Sequence, residues 1–181
     1  MMKKVLFILC VVLSWGYGYS QAPAYKGNIE TGYSFGVGDH SVAQWLLQTV
    51  HGVDFIPDRL FVGGGIGLGI SVESDVEAYT FPIFVDARYK FGQKRVRPYA
   101  DMRAGYSFVW NDHHPGGNEG GFYFAPSVGL AFKVSSALEC NVGLGYTVQR
   151  AHYEYRSDPH YNPTRINYNA GGLNLTIGLS F

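Results

Sequence analysis

The chain has 181 residues, 24 of them glycine, and its formal net charge at pH 7 is zero. Because the charges balance, the composition excludes a large basic surface of the kind that binds nucleic acid. Hydrophobic residues make up 46% of the chain, yet no stretch beyond the N-terminal segment approaches the roughly twenty consecutive apolar residues of a membrane-spanning helix.

The N-terminus has the pattern of a secretory signal peptide. Two lysines precede an apolar core over residues 5–13, and the small residues Gly18 and Ser20 favour cleavage after Ser20. We therefore expect a signal peptide over residues 1–20 and a single domain over residues 21–181.

Two cysteines bear on this organisation. Cys10 raises the alternative of a lipoprotein anchor, but Leu9 stands where a small residue is expected before a lipidated cysteine. Once the signal peptide is removed, Cys140 is the lone cysteine, so the domain is predicted to fold without an internal disulfide.

The rest of the chain divides into segments in which apolar residues alternate with small or polar ones, the period of a β-strand. The predicted strands cover residues 25–37, 42–55, 60–72, 79–91, 96–108, 122–134, 138–148 and 173–181. The second is the least regular, because Leu46 and Val50 interrupt its alternation. A short helix is the alternative for part of it.

The connections between these strands alternate in length. Tight turns are predicted at residues 57–58, 92–95 and 135–137, and longer loops at 38–41, 73–77, 111–120 and 155–166. Short turns on one side and longer loops on the other, with an even number of strands, predict an all-β fold: an eight-stranded antiparallel up-and-down transmembrane β-barrel.

The two faces of each predicted strand differ in polarity, so one is expected to face lipid and the other the lumen. Turning Arg88 or Arg103 toward hydrocarbon would cost roughly 2–4 kcal/mol near the midplane, so the apolar face is predicted to meet lipid. The charged side chains are then expected to pair inside a plugged lumen rather than line a pore. This predicted lumen charge network consists of Glu30, Asp86, Arg88, Lys90, Asp101, Arg103 and Glu139.

Small residues on neighbouring strands suggest where the long cations lie. Glycines at positions 63, 65, 67 and 69, and small residues at 125, 127, 129 and 131, leave space beside strands four and five. We expect Arg88, Lys90 and Arg103 to lean into that space. An ion network that serves the fold is the main hypothesis, and a functional proton or ion path is the alternative.

Aromatic residues near the strand ends predict two interfacial girdles. The loop-side girdle consists of Trp45, Phe108, Trp110, Phe122 and Phe124. The turn-side girdle consists of Phe55, Tyr89, Phe91, Phe132 and Phe181. A platform on which a ligand stacks is the alternative.

Several segments carry a family resemblance. The last strand, which ends in Phe181, looks like the final strand of outer-membrane proteins, which the barrel assembly machinery reads. Other segments resemble the small outer-membrane β-barrel family common in Bacteroidetes, which is related in architecture to OmpA/OmpX-type eight-stranded barrels. These segments are residues 49–57, 60–68, 81–84, 97–101, 105–106 and 124–130.

The resemblance covers essentially the whole mature chain. It implies a monomer in the outer membrane of a Gram-negative bacterium, in contact with outer-membrane lipid and lipopolysaccharide. Its motifs are turn and packing motifs, and members of the family mostly lack an assigned activity, so the resemblance adds little about mechanism.

Catalytic chemistry is the first alternative function. Some barrels of this size modify lipid A with a histidine and a serine or acidic partner, and His152, Glu154 and Ser157 lie together near the end of strand seven. The known deacylase-like barrels carry His-x-Ser on one strand, a pattern this chain lacks. We therefore expect no enzymatic activity.

Cofactor and metal sites are also not expected. Residues 63–69 lack the G-x-G-x-x-G register, and no helix follows them. Asp112, His113, His114 and Glu119 offer ligand types suited to a transition metal, but their spacing is not diagnostic.

The leading hypothesis is a non-enzymatic barrel whose outer loops contact an extracellular ligand or support the envelope. Those loops carry side chains suited to adhesive contacts: Tyr153, Tyr155, His160, Tyr161 and Arg165. A soluble lipocalin-like carrier is the remaining alternative, with apolar residues lining a cavity and polar residues outside.

Overall fold

The computed structural model of the chain describes residues 24–38, 41–72, 78–111, 119–155 and 164–181. Within strands, the side chains at positions 78, 111, 119, 151–155 and 164–169 fall outside this description. Among the described residues, no helix is long and apolar enough to cross a membrane.

Eight antiparallel strands form one closed barrel in chain order. They are β1 (Tyr25–Val37), β2 (Gln44–Ile56), β3 (Leu60–Ser71), β4 (Ala78–Lys90), β5 (Val96–Asn111), β6 (Glu119–Lys133), β7 (Glu139–Tyr155) and β8 (Thr164–Ser180). The ring closes where β1 pairs with β8, with Asn28 opposite Ser180 and Val37 opposite Gly171. Closure leaves no sheet edge to pair with another chain, and the predicted fold class is confirmed.

The second strand is a strand along its whole length, so the alternative of a short helix is wrong. Val50, which interrupts the apolar alternation of β2, has 0% of its surface accessible. It packs inside the barrel in a cluster with Phe61, Phe84, Tyr123 and Ala125. The lumen therefore has an apolar part, and Val50 is one of the inward residues that form it.

The three predicted tight turns lie at one end of the barrel, which we call the turn side. Asp58 follows Pro57 with a φ of 57°, and Arg59 N donates to Ile56 O at 2.9 Å to close that turn. Gly92 has a φ of 77°, a left-handed conformation that glycine adopts at little cost. The strand ends that lead into the longer connections lie at the opposite end, which we call the loop side.

The outward face of the barrel is largely apolar and the inward face is largely polar. Ile66, Val85, Val128 and Ile177 point outward, with 58 to 64% of their surface accessible. The buried side chains include charged residues from β1, β4, β5 and β7. This distribution reverses the usual one of water-soluble proteins and is the distribution of membrane-spanning β-barrels.

Candidate functional site: the charged lumen

Glu30 is the centre of the largest group of buried charges. Arg88 donates from Nη2 to Glu30 Oε1 at 2.6 Å, and Arg103 donates from Nη2 to Oε2 at 2.5 Å. Asn28 adds a third hydrogen bond at 2.7 Å. Both oxygens of one carboxylate are therefore engaged by charged donors, which makes these hydrogen bonds stronger than neutral ones.

Asp101 is the second carboxylate that both arginines share. Its Oδ2 lies 3.0 Å from Nη2 of Arg88 and 3.0 Å from Nη2 of Arg103. The β4–β5 register creates this arrangement, because Arg88 faces Asp101 and Asp86 faces Arg103 across the ladder. Glu30, Asp86, Arg88, Asp101 and Arg103 form what we call the inner cluster.

Asp86 is the least well paired member of the inner cluster. It is almost fully buried, and its nearest cation is Nε of Arg103, 3.5 Å from Oδ1. No group among the described residues donates a hydrogen bond to either of its oxygens. Three carboxyl groups face two guanidinium groups, so full ionisation would leave the inner cluster with one negative charge in excess, and Asp86 is the carboxyl group least able to carry it.

Lys90 and Glu139 pair with each other outside the inner cluster. Glu139 also pairs with Arg97, and Arg97 Nη1 lies 3.6 Å from Asp58 Oδ1 at the turn-side mouth. The seven residues of the predicted charge network are thus all in the lumen, in two groups. The second group, which we call the turn-side cluster, consists of Lys26, Asp54, Asp58, Lys90, Arg97 and Glu139.

Asp58 lies in the β2–β3 turn, outside the membrane-spanning strands. Partial burial alone would raise the pKa of its carboxyl group, but the nearby cations Lys26 and Arg97, with Lys133, hold that pKa below its usual value. Lys26 Nζ lies 3.8 Å from Asp58 and 2.9 Å from Asp54. The turn-side mouth therefore keeps both signs of charge within a few ångströms.

Sequence reasoning missed several lumen residues. Arg97 shares the charged face of strand five with Arg103, and that pattern was enough to include it. Uncharged partners gave no comparable signal: Gln48 accepts from Arg103 Nη1 at 2.5 Å and donates to Tyr123 OH at 3.2 Å. The guanidinium of Arg88 also lies 4.6 Å from the centre of the Tyr99 ring, a cation–π geometry.

The space beside the small residues of β3 and β6 is not filled by the long cations that were expected there. A Cβ added at Gly65 would lie 2.6 Å from Cε2 of Phe84, and one at Gly129 would lie 2.5 Å from the hydroxyl of Tyr99. At these glycines the expectation that arginine and lysine fill the space is wrong, because inward aromatic rings lie there. The cations instead extend toward the carboxylates.

Little space is left around the inner cluster. One cavity, lined by Gln48, Arg103 and Tyr123 among others, has a volume of about 20 Å³. Another, beside Arg88 and Lys90, has about 10 Å³. Each holds about one water molecule, so the lumen is packed around the inner cluster.

The residues of the two predicted girdles lie on the outer wall near its ends. All are exposed except Phe124, which is half-buried. Tyr89 and Phe91 make an edge-to-face contact with ring centres 4.9 Å apart, and Phe122 and Phe124 stack at 6.3 Å. Their placement suits two interfacial belts.

The other candidate residues cannot be placed in a site. Asp112, His113, His114, Ser157, His160 and Tyr161 lie outside the described residues, as do the side chains of Glu119, His152, Tyr153, Glu154, Tyr155 and Arg165. The predicted signal peptide over residues 1–20 lies outside them too.

Neither a protein-family model nor a curated protein matches the chain. Solved structures of outer-membrane proteins do. Neisserial surface protein A has a TM-score of 0.68 at 12% identity, over 88% of this chain and 98% of that chain. OprG from Pseudomonas aeruginosa has a TM-score of 0.54 at 11% identity, over 88% of this chain and 97% of that chain.

The outer-membrane enzyme PagL is also similar, with a TM-score of 0.49 at 11% identity, over 83% of this chain and 97% of that chain. A likeness at that level carries no argument about catalysis. Identities this low show a shared fold and nothing finer, and that fold is the eight-stranded closed barrel of small outer-membrane proteins.

Proposed function

We propose that the chain is a non-enzymatic integral protein of the outer membrane of a Gram-negative bacterium. It crosses the membrane as a barrel with a closed polar lumen and acts structurally or by surface interaction through its outer loops. One observation carries the proposal: the wall that faces outward is mainly apolar on the described part of all eight strands, while most charged side chains of the strands are buried inside and paired. Such a wall is stable in contact with acyl chains.

Location and orientation follow from this arrangement. The N-terminal segment over residues 1–20 directs export, the tight turns face the periplasm, and the longer loops face outward. The solved structures with the same fold, which belong to outer-membrane proteins, support this location. Membership of the Bacteroidetes-type group is part of the proposal and rests on the turn and packing motifs of the sequence.

Extraction tests the membrane location directly. The protein should fractionate with outer membranes, require detergent for release, and change its gel mobility when boiled, because a detergent-resistant barrel migrates as a compact species. A soluble lipocalin-like carrier would instead appear in the periplasmic fraction without detergent. That result would overturn the proposal.

Single-channel recording tests the closed lumen. Because the inner cluster joins β1, β4 and β5 and the cavities beside it hold about one water molecule each, purified protein in planar bilayers should show no steady, large conductance. A stable open level in most insertions would contradict a plugged lumen.

Loop deletion and a lipid assay test the assigned role. Replacing residues 112–118 or 156–163 with short Gly-Ser turns should leave the barrel folded and abolish surface contacts or envelope support. Incubation with lipopolysaccharide should release no fatty acid and transfer no acyl chain. Acyl release that depends on His152 would establish the alternative, a lipid A-modifying enzyme.

A further inference from the structure

We infer that the turn-side mouth binds one phospholipid, with a zwitterionic phosphoethanolamine headgroup in the cavity between β1, β7 and β8 and acyl chains on the adjacent outer wall. This inference rests on the proposed membrane location and deepens it by naming a specific lipid. Its ligand would come from the leaflet that surrounds the turn side.

The cavity is large enough and open in the right directions. It has a volume of about 230 Å³ and is lined by Tyr25, Lys26, Asp58, Lys133, Glu139 and Phe181 among others. That volume is more than ten times the volume of either one-water cavity beside the inner cluster, so a phosphoethanolamine group, which is several times larger than a water molecule, can enter it. Lys26 and Glu139 belong to the inward face, whereas Tyr25 and Phe181 belong to the outward face, so the cavity joins the lumen mouth to the lipid-facing wall.

The charges that line the cavity suit a headgroup with both signs. Lys26 and Lys133 supply ammonium groups for a phosphate, and Asp58 supplies a carboxylate for the ethanolamine ammonium. The Asp58 side chain is 54% accessible and that of Lys26 is 24% accessible, so a ligand can reach both. A purely anionic headgroup would meet the two lysines but also the carboxylates of Asp58 and Glu139, which repel it.

A polar trio lies on the otherwise apolar wall next to this cavity. Tyr25 OH is 2.7 Å from Nδ1 of His51, and Thr49 Oγ1 is 2.9 Å from Nε2 of the same ring. The rings of Tyr25 and His51 also stack, with centres 6.1 Å apart. Tyr25 belongs to both the trio and the cavity lining, so the two features are continuous.

The trio has one proton more than its hydrogen bonds use. Neutral histidine carries one N–H, and Tyr25 and Thr49 carry one O–H each, whereas only two hydrogen bonds link the three groups. If Nδ1 carries the proton, the Tyr25 hydroxyl hydrogen is free; if Nε2 carries it, the Thr49 hydroxyl hydrogen is free. In hydrocarbon a free donor is costly, and the ester carbonyl of a lipid whose headgroup fills the cavity is a suitable acceptor.

Native mass spectrometry of the detergent-extracted full chain tests the site. The protein is supplied with equal amounts of phosphatidylethanolamine, phosphatidylglycerol and phosphatidylcholine, and the retained lipid is counted. We expect phosphatidylethanolamine to be retained in preference to the other two. Lys133→Gln should weaken its retention about tenfold, because one charge-assisted hydrogen bond is lost. Lys94→Gln, the same change at a turn lysine that does not line the cavity, should leave retention unchanged.

A second variant keeps the test informative if Lys133→Gln fails to fold. Asp58→Asn should narrow the preference for phosphatidylethanolamine over phosphatidylglycerol, because it removes the partner of the ethanolamine ammonium. Equal retention of all three lipids, or equal effects of Lys133→Gln and Lys94→Gln in folded protein, would overturn the lipid site and leave the membrane location standing. Wild-type protein that is soluble without detergent would overturn the proposed function itself.

Discussion

Arg103 on β5 donates a hydrogen bond to Glu30 on β1, with 2.5 Å between Nη2 and Oε2. In the ring of eight strands, β1 and β5 lie four positions apart, so this hydrogen bond joins opposite walls. Arg88 on β4 binds the other oxygen of Glu30 at 2.6 Å. A single carboxylate therefore ties three strands together across the lumen.

Loss of that carboxylate should be costly. Glu30→Gln turns one acceptor oxygen into an NH2 group that faces a guanidinium and leaves the other guanidinium with a neutral acceptor, so we expect a loss of about 3–5 kcal/mol in the free energy of unfolding. Urea unfolding in lipid vesicles, followed by tryptophan fluorescence, measures it. Asp58→Asn, the same chemical change in the exposed turn, should cost at most about 1 kcal/mol, and equal losses for both variants would show that Glu30 does not hold the walls together.

Neutralising Asp86 should have a much smaller effect. Asp86→Asn removes a carboxyl group that accepts no hydrogen bond from a described residue and whose nearest cation, Arg103 Nε, is 3.5 Å away. We expect a change within about 1 kcal/mol in either direction. Asp101→Asn is the matched comparison, because Asp101 lies 3.0 Å from both arginines. The same unfolding experiment should show Asp101→Asn to be clearly less stable, and the opposite order would refute our assignment of the poorly compensated charge.

Two adjacent glycines on β3 should respond in opposite ways to alanine. A Cβ at Gly65 meets the Phe84 ring at 2.6 Å, whereas the nearest atom to a Cβ at Gly64 is Phe84 O at 3.9 Å. Gly65→Ala should therefore cost about 1–3 kcal/mol through overpacking. Gly64→Ala, on the outward face, should be neutral or slightly stabilising. Denaturation midpoints of the two variants in the same vesicles provide the comparison, and similar midpoints would mean that the lumen is not tightly packed at Phe84.

These glycines also show where sequence reasoning reaches its limit. Alternation along a strand is a local property, so it correctly predicted which face of β3 turns inward. The ring that fills the space depends on register: Gly65 faces Phe84 across β3–β4, and Gly129 faces Tyr99 across β5–β6. The alternation of apolar and polar residues does not predict the register between two strands that a long loop joins.

Partners across the barrel were harder still to predict. The sequence indicated that Lys90 and Glu139 lie on inward faces, and the register of single strand pairs gives neighbours such as Arg88 and Asp101. Neither the alternation nor the register of neighbouring strands predicts the pairing of Glu139 with Arg97. β5 and β7 are not adjacent, so these two residues meet only once the sheet has closed.

Lowering the pH should remove a small contribution that the turn-side mouth makes to the free energy of unfolding. The pKa of Asp58 is held below its usual value by Lys26 and Arg97, so its ionised form stabilises the folded state above about pH 4, the unfolded value. That contribution is lost as the pH falls through the lower folded-state pKa. Because Asp58 is largely exposed, we expect its ionised carboxylate to contribute about 0.2–1 kcal/mol to the free energy of unfolding at neutral pH.

The measurement is the stability difference between wild type and Asp58→Asn from pH 7 to pH 3. Asparagine tolerates the left-handed backbone at this position, where φ is 57°, so the comparison isolates the charge. The difference should shrink below about pH 4. A difference that stays constant over this range would show that Asp58 forms no useful ion pair with Lys26 or Arg97.

The apolar wall itself is best tested with two valines that both point outward. Val85 lies in the middle of β4, and Val96 lies at the turn-side end of β5; 64% and 45% of their surfaces are accessible. In a bilayer, Val85→Arg places a guanidinium near the midplane, at a cost of about 2–4 kcal/mol, whereas Val96→Arg places it near the interface, at about 0–1 kcal/mol. Denaturation in vesicles should therefore separate the two variants.

The same pair distinguishes lipid from water as the surroundings of the wall. On a protein surrounded by water, both arginines would be solvated and each variant would change stability by only about 0.5 kcal/mol. The depth dependence arises only if hydrocarbon covers Val85 and headgroups lie beside Val96. Indistinguishable unfolding midpoints for Val85→Arg and Val96→Arg would therefore contradict the membrane location and, with it, the interpretation of the buried charges as the filling of a transmembrane lumen.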